Sequence, residues 1–314
     1  MTGEAACPTF SFELYPPRTE VAESRLFQCI DKLSAVSPEF ISVTYRPTGS
    51  DRAASLAVLG KLIREHRVRA MAHLTCVGSS YEEASQVIRE FLDEGVTSFL
   101  ALRGDPPPGM SDDDAFLGDF ASAAELVQLI HHVQAERSPF SFAEMRGFPT
   151  AKRLHSGEKV TIAVAAFPNG HPRSRSRGQD IDTLLAKQAA GANLAITQLF
   201  FISDEFHGFV AEAREAGVTM RILPGIMPVM SVSRLRRVLE LSGERTPRGL
   251  LSDLESAAGA PAAARVGIDA ATGLARELVA GGADGIHLYT FNSSDAPLAV
   301  LAGAGLLGAS TPSR

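Results

Sequence analysis

Short apolar stretches alternate with amphipathic stretches along almost the whole chain. The apolar stretches have the length of strands, and most of them end in proline, glycine or a polar residue. This pattern is typical of buried parallel strands in α/β proteins. The strands predicted in this way are Phe10–Leu14, Phe40–Thr44, Ala70–Cys76, Ser98–Arg103, Val160–Ala166, Leu194–Phe200, Arg221–Ile226 and Gly285–Tyr289.

The amphipathic stretches between these strands have the spacing of surface helices. Thr19 and Ser80 are predicted to cap two of them, since a side-chain oxygen before a helix can accept from its free N–H groups. A glycine- and alanine-rich stretch near residues 242–267 is left without an assigned element. The other predicted helices span residues 50–65, 121–135, 179–190, 203–216, 231–241 and 268–280, with a last one near 297–307.

Eight strand–helix units predict an α/β fold, a (β/α)8 TIM barrel, because eight parallel strands can close on themselves. An open doubly wound sheet is the main alternative. Its Gly-x-Gly-x-x-Gly fingerprint occurs only at Gly303–Gly308, where no helix follows, so we interpret that match as chance. The chain is predicted to be a single domain over residues 1–314, with a polar insertion near 137–158.

Composition limits the classes of partner. The chain has 314 residues, a net charge of −6 and a pI near 5.8, which argue against nucleic acid or an anionic membrane as partner. The start of the chain lacks the pattern of a secretory signal, and residues 296–309 are too short to span a bilayer. Cys7, Cys29 and Cys76 lie too far apart for a disulfide framework or a cysteine zinc site. We therefore expect a soluble cytoplasmic protein without a metal.

Polar side chains stand where buried strands end. Arg103 ends the fourth strand and Asp105 follows it, where Gly104 and several prolines stop the strand. In the first strand Glu13 shares a face with Ser11, opposite the apolar residues. If that face lines a barrel, burial is expected to raise the pKa of Glu13 and make it a general acid near neutral pH. A salt-bridged structural role is the alternative.

Further polar positions join this set at other strand ends. His73 could equally be a core histidine whose ring nitrogens are hydrogen-bonded. Polar residues spaced three and four apart along a helix ordinarily form an exposed stripe. The positions are Thr44 and Tyr45, then His73 with Thr75, then Thr197 and Gln198, and the stripe of Asp180, Thr183 and Lys187 on one helix.

Read in order, these segments resemble the methylenetetrahydrofolate reductase family, in its short bacterial form. The similarity extends over essentially the whole chain and rests on a set of motifs. They are Phe12–Pro17, Ile41–Tyr45, His73–Cys76, Ala101–Asp105, Ala165–Pro168 with His171–Pro172, Ala190–Asn193 with Ile196–Gln198, Pro224–Val229 and His287–Asn292.

The resemblance implies a barrel that holds FAD at the C-terminal ends of its strands. NADH or NADPH would reduce the flavin and leave, and 5,10-methylenetetrahydrofolate would then take its place and be reduced to 5-methyltetrahydrofolate. Glu13 would be the general acid that opens the five-membered ring, and the charge of Asp105 would favour the cationic iminium. The resemblance does not distinguish NADH from NADPH, and it is compatible with a homo-oligomer.

The resemblance also assigns binding positions. Asp180 would contact ribityl hydroxyls and Lys187 the pyrophosphate. Substrate-binding positions are Gln198, Arg234 and Tyr289, and flavin-contacting positions are Thr44, Tyr45, His73, Arg103, Gly104, Asp105, Phe167, His171, Asp180, Thr183 and Lys187.

The chain departs from the family pattern at three places. Arg46-Pro47-Thr48-Gly49 replaces a glycine-rich run, Arg234 replaces a usual glutamine, and Ser293 replaces a usual arginine. Arg234 would supply the cation that Ser293 lacks, or the substrate differs. Two alternatives therefore stay open: a flavin-free reductase with direct hydride transfer, and a non-catalytic flavin- or folate-binding paralogue.

Overall fold

The computed structural model describes residues 8–45, 49–106, 109–110, 116–137, 140–145, 148–153 and 160–307. The strands are β1 (Thr9–Leu14), β2 (Phe40–Val43), β3 (Ala70–Thr75), β4 (Ser98–Leu102), β5 (Phe140–Met145), β6 (Phe148–Arg153), β7 (Thr161–Ala166), β8 (Leu194–Thr197), β9 (Arg221–Leu223), β10 (Gly225–Ile226) and β11 (Gly285–Tyr289). The helices are α1 (Glu20–Ser34), α2 (Gly49–Arg64), α3 (Tyr81–Asp93), α4 (Ala123–Glu136), α5 (Arg177–Ala189), α6 (Ser203–Glu215), α7 (Val232–Ser242), α8 (Arg248–Ser256), α9 (Ala260–Ala280) and α10 (Asp295–Gly303).

The parallel strands close into a barrel. Pairing runs from β10 through β11, β1, β2, β3, β4, β7 and β8 to β9. The two end strands, β9 and β10, are halves of the predicted seventh strand and are separated by Pro224, which has no N–H to give. Just past this break, the Gly225 N–H donates to Oγ1 of Thr197 in β8 at 2.8 Å. The predicted (β/α)8 barrel is confirmed.

The two faces of each strand have different neighbours. In β1 the apolar residues Phe10, Phe12 and Leu14 pack under the helices, whereas Ser11 and Glu13 point into the barrel. The alternation of apolar and polar residues in the sequence of β1 predicted these orientations. The barrel interior is filled by a second, smaller apolar cluster of Phe40, Met71, Leu100, Ala163, Leu194, Ile196 and Leu223. Polar groups therefore concentrate at the two open ends.

The helix boundaries follow the predicted caps, and one stretch differs from expectation. Thr19 accepts from the Ala22 N–H, and Ser80 forms a reciprocal capping box with Glu83. The stretch 242–267, which the pattern left unassigned, contains α8 and the first turns of α9. Pro261 stands in the first turn of α9, where its missing N–H costs nothing, and the alanines that follow favour the helix.

The polar insertion near 137–158 forms a structure of its own. In its described part, β5 and β6 pair antiparallel, with Phe140 opposite Arg153 and Met145 opposite Phe148. The remainder of the insertion lies outside the described residues, as do Cys7, Gly308 and the Arg46-Pro47-Thr48 segment. The single-domain organisation stays a prediction.

An ion pair ties strands together at the N-terminal end of the barrel. Arg221 at the start of β9 donates through Nη1 to both carboxylate oxygens of Glu39 at 2.8 Å. Its Nη2 donates to Oγ1 of Thr9 and, at 3.1 Å, to the carbonyl of Asp284. About a quarter of each charged side chain is exposed, with 26% for Arg221 and 24% for Glu39. This network joins the segments that begin β1, β2, β9 and β11.

We expect Arg221→Met to destabilise the fold by about 1–3 kcal/mol, because Glu39 keeps its charge, loses its guanidinium partner and retains only the Thr9 hydroxyl as donor. Urea unfolding of the Arg221→Met, Glu39→Gln and double variants measures the coupling between the two groups. If the two single effects simply add in the double variant, the ion pair contributes nothing to stability.

Candidate active site at the C-terminal mouth of the barrel

Glu13 lies between two histidines at the C-terminal mouth. Its Oε2 is 3.7 Å from Nε2 of His73 in β3 and 4.0 Å from Nε2 of His287 in β11. Both contacts are longer than a hydrogen bond, and Nε2 of each histidine is buried without a hydrogen-bond partner in the described residues. The Glu13 side chain keeps 23% of its surface exposed. The three groups thus form a tight cluster that opens toward solvent on the carboxylate side.

The electrostatics of this cluster correct one expectation from the sequence. Burial raises the pKa of the Glu13 carboxyl, but the neighbouring imidazoles of His287 and His73 lower it by more, so the pKa lies below its ordinary value. Burial lowers the pKa of His73 to about 4, and Glu13 offsets part of that shift. The raised pKa predicted for Glu13 is therefore wrong for the structure as it stands. The reason is a partner, His287, that sequence spacing did not place beside it.

His287 and Ser11 are the two site residues that sequence reasoning missed. Ser11 Oγ lies 2.8 Å from Nδ1 of His287, and both side chains are fully buried. The contact fixes the plane of the imidazole, with Nε2 directed toward Glu13. The signal was present in the sequence, because Ser11 and His287 each lie two residues before a predicted site residue on the same strand, Glu13 and Tyr289 respectively.

Tyr289 is placed next to Glu13 by strand pairing. β1 and β11 run in register with Glu13 opposite Tyr289, and the Tyr289 hydroxyl donates to the carbonyl of Thr197 at 2.8 Å. Burial and, to a lesser extent, the Glu13 charge raise the pKa of Tyr289, so the phenol stays protonated. Gln198 follows β8 directly and its Oε1 accepts from the Leu199 N–H at 2.9 Å. Two of the predicted substrate-binding residues thus flank the same end of the barrel.

The Arg103-Gly104-Asp105 turn follows β4. Gly104 has φ +85°, and a Cβ there would come within 2.4 Å of Val77, so only glycine fits this turn. The Arg103 guanidinium lies 4.9 Å from the ring centre of Phe116, within the range of a cation–π contact. Asp105 is exposed. The turn therefore places one cation against an aromatic ring and one exposed carboxylate at the end of β4.

A third group of residues sits between β7 and α5. Asp180 is buried and accepts from the His171 N–H at 3.3 Å and from the Ser174 hydroxyl. The ring of His171 packs edge-on against Phe167, with 4.6 Å between ring centres. Burial lowers the pKa of His171, which the Asp180 charge partly offsets. Asp180 therefore holds the loop that carries two predicted flavin-contacting side chains.

Lys187 lies two turns further along α5. Its Nζ donates to the carbonyl of Ala165 at 2.9 Å, the one hydrogen bond of this ammonium in the described structure. Burial lowers the pKa of Lys187 to about 8, although the charge of Asp180 raises it in part. An ammonium enclosed in this way has unused donors, which suits a phosphate ligand.

Two predicted cofactor positions do not present their side chains to the mouth. The Tyr45 ring is buried against Phe91 of α3, edge-on at 5.8 Å between ring centres, and burial raises its pKa. Thr183 is exposed on α5 and its hydroxyl donates to the Gln179 carbonyl at 2.8 Å. Thr44 stays at the mouth, where its N–H continues the β1–β2 pairing by donating to Leu14.

Arg234 and Phe291 form a cap over one side of the mouth. The guanidinium of Arg234, in the first turn of α7, lies 4.6 Å from the ring centre of Phe291, which is 40% exposed. Phe291 and Asn292 both have left-handed backbone, with φ of 51° and 55°. The Asn292 side chain stabilises this turn by accepting from the Tyr15 N–H at 3.0 Å and donating to the Tyr15 carbonyl at 2.8 Å. The strained turn thus places an aromatic ring and a cation together.

These residues fit the flavin that the resemblance implies. The Arg103 turn uses a glycine where a Cβ would clash, Lys187 has unused donors, and the His73 and His287 Nε2 atoms lack partners. The Arg46-Pro47-Thr48 departure lies outside the described residues. No group of three or more histidine, cysteine, aspartate or glutamate side chains in the described residues could hold a metal ion. None of the described helices is long and apolar enough to cross a membrane.

The known proteins to which the chain is similar in sequence are methylenetetrahydrofolate reductases. The family model for methylenetetrahydrofolate reductase matches residues 2–305. The chain is 30% identical over 297 residues to 5,10-methylenetetrahydrofolate reductase from Salmonella typhimurium, covering 92% of this chain and 88% of that protein. It is 32% identical over 306 residues to a probable methylenetetrahydrofolate reductase (NADH) from rice, covering 97% of this chain and 49% of the plant protein. The chain thus spans about half the length of the plant relatives it matches.

Solved structures share the fold at low sequence identity. An uncharacterized protein from Clostridium thermocellum, which binds two copies of 5-methyl-5,6,7,8-tetrahydrofolic acid, superposes with a TM-score of 0.59. It is 12% identical, and the match covers 96% of this chain and 95% of that one. At that identity the likeness shows the fold alone.

Proposed function

The chain belongs to the methylenetetrahydrofolate reductase family, and we propose that it reduces 5,10-methylenetetrahydrofolate to 5-methyltetrahydrofolate with NADH or NADPH through bound FAD. The observation that carries the proposal is the ionisable cluster at the barrel mouth. A carboxylate with 23% of its side chain exposed lies within 4.0 Å of two imidazoles, beside a partly buried tyrosine. The folate ligand of the Clostridium protein on the same fold agrees with this substrate class.

Three groups of residues hold the cofactor in this proposal. Lys187 binds the pyrophosphate, and Asp180 accepts from ribityl hydroxyls at the mouth end of α5. Arg103 and the open backbone at Gly104 face the flavin ring, together with His73 and His171. The bound flavin would accept a hydride from the nicotinamide and give it to the folate methylene carbon.

Glu13 donates a proton in the proposed reaction. Ring opening needs a proton on the departing nitrogen of the folate five-membered ring, and Glu13 is the proposed donor. Because its pKa is low in the free protein, the carboxyl must gain its proton when ligand arrives. Substrate that covers the exposed part of Glu13 removes water from the carboxylate and raises its pKa, so binding is accompanied by proton uptake.

Substrate contacts complete the proposal. Gln198 hydrogen-bonds the pterin, Asp105 stabilises the cationic iminium, and the Tyr289 hydroxyl limits the depth of the pocket. Arg234, 4.6 Å from the ring centre of Phe291, offers its guanidinium to the carboxylate tail and takes the role that Ser293 cannot fill. A homo-oligomer and a cytoplasmic location stay predictions.

The experiment that tests the function follows the visible spectrum of the purified protein through both half-reactions. We expect a flavin spectrum that bleaches under anaerobic NADH or NADPH and returns when 5,10-methylenetetrahydrofolate is added. The faster of the two nucleotides identifies the donor. A colourless protein that still reduces the folate would support the flavin-free alternative, and a flavin that does not reoxidise with the folate would contradict the substrate.

A second prediction concerns Ser11, which acts through His287. Ser11→Ala removes the contact to Nδ1, so the His287 imidazole ring is free to rotate. The folate half-reaction should therefore slow several-fold while flavin reduction by nucleotide is unchanged. The pH profile of the folate half-reaction should shift as well, because His287 helps to set the pKa of Glu13. Ser11→Thr, which keeps the hydroxyl, should restore the profile. An unchanged pH profile in Ser11→Ala would contradict this positioning role.

A further inference from the structure

A second polar cavity lies at the opposite, N-terminal end of the barrel. Its volume is about 210 Å³, and its polar lining comes from the first residues of several strands and the residues just before them. Apolar side chains of the barrel interior form its floor. The polar residues are Glu39, Arg69, Ser98, Thr161, Asn193 and Arg221. None of them takes part in the proposed reaction.

Two hydrogen-bond donors of the residues that line this cavity are buried and lack an acceptor in the described structure. Arg221 uses both terminal nitrogens on Glu39, Thr9 and Asp284, yet its Nε is buried and has no hydrogen-bond partner in the described structure. Ser98 is fully buried, and its hydroxyl also lacks a partner there. A buried donor without a partner is costly, so this pair indicates a missing acceptor.

The charge of the cavity is positive. Glu39 is the only described carboxylate in the lining, and both of its oxygens accept from Arg221. Arg69 is exposed at the rim and has no ion-pair partner among the described residues, so one positive charge is left over. Asn193 uses one amide hydrogen on the Val160 carbonyl and keeps the other. Guanidinium groups, a hydroxyl and an amide together suit a ligand that only accepts hydrogen bonds.

We propose that this N-terminal cavity binds a small oxyanion of the size of inorganic phosphate. Arg221 and Ser98, whose Nε and hydroxyl lack partners in the described structure, line the site from inside, and Arg69 closes over it from the rim. The volume equals about seven water molecules at roughly 30 Å³ each, enough for a phosphate with part of its hydration shell. The bound anion would join the starts of β3, β4 and β9 and stabilise the barrel at the end opposite the chemistry.

Thermal unfolding in rising inorganic phosphate tests the proposal, with sodium chloride at equal ionic strength as reference. We expect a Tm that rises and levels off in phosphate but not in chloride, as a ligand of the native state requires. Ser98→Ala and Arg69→Gln should each weaken the apparent phosphate affinity by about tenfold, the loss of one hydrogen bond to a charged group. Arg25→Gln, an exposed arginine of α1, should leave it unchanged.

Lys187→Met separates this cavity from the proposed pyrophosphate position, because that variant should retain the phosphate response. A response lost in Lys187→Met would assign the anion to the mouth and overturn the proposal. The absence of a plateau, or equal plateaus in Ser98→Ala, Arg69→Gln and the parent protein, would overturn it too. These outcomes are independent of whether the protein reduces folate.

Discussion

Replacing Glu13 with glutamine should slow the reduction of 5,10-methylenetetrahydrofolate by about 10²- to 10⁴-fold, the usual contribution of a general acid. The amide is nearly isosteric but cannot supply a proton. Reduction of the flavin by NADH or NADPH needs no proton from this side chain, so its rate should stay within a few-fold of the parent. Stopped-flow absorbance of the two half-reactions, each under anaerobic conditions, measures the two rates separately.

The control for this variant is Glu20→Gln, which removes an exposed carboxylate from the first turn of α1. It should leave both half-reactions unchanged. Proton uptake on folate binding gives a second readout, since Glu13→Gln should abolish it. Equal folate rates in Glu13→Gln and the parent would remove Glu13 from the chemistry. A slow half-reaction with nucleotide as well would point to a distorted flavin site.

Replacing Lys187 with methionine should weaken FAD binding by about 10- to 100-fold, the loss of a charge-assisted contact to the pyrophosphate. Methionine keeps the length and the apolar stem of the side chain, so the packing of α5 should persist. The dissociation constant follows from flavin fluorescence on titration of the apoprotein. Unchanged affinity would place the pyrophosphate elsewhere.

The same residue predicts how FAD affinity depends on pH. Because burial lowers the pKa of Lys187 to about 8 in the free protein, its positive charge is largely present at pH 7 and lost as pH rises through that value. Affinity should therefore fall above pH 8, by at most tenfold per unit. Lys187→Arg keeps its charge across this range and should bind FAD with a flat pH profile. A parent profile that stays flat from pH 7 to 9 would contradict the assignment.

The sequence predicted the fold because the barrel depends on local patterns that repeat. Eight apolar stretches of strand length, each followed by an amphipathic helix, leave a parallel barrel as the simplest closed arrangement. The alternation in β1 also predicted that Glu13 faces the interior. The pattern missed α8 and the start of α9, because alanine- and glycine-rich stretches carry little periodic contrast between apolar and polar positions.

The candidate site was predicted in part, because local patterns along the chain also show where strands end. Strand ends identified Glu13, His73, Asp105 and Gln198, since the C-terminal ends of barrel strands meet at one mouth. Spacing could not identify the contact between Ser11 and His287, which are 276 residues apart. Nor could spacing show that Tyr45 packs against Phe91, because the side chain of a residue just after a strand can face either the barrel mouth or the surrounding helices.

By itself, the order of residues determined the architecture, the family and the set of polar strand ends at the barrel mouth, since each depends on periodicity or on local motifs. Only the tertiary structure decided the protonation of Glu13. Its pKa reflects a balance between burial, which disfavours the charge, and two imidazoles from β3 and β11, which favour it. Such a balance depends on distances of a few ångströms between strands that are remote in sequence, and barrel closure is what sets those distances.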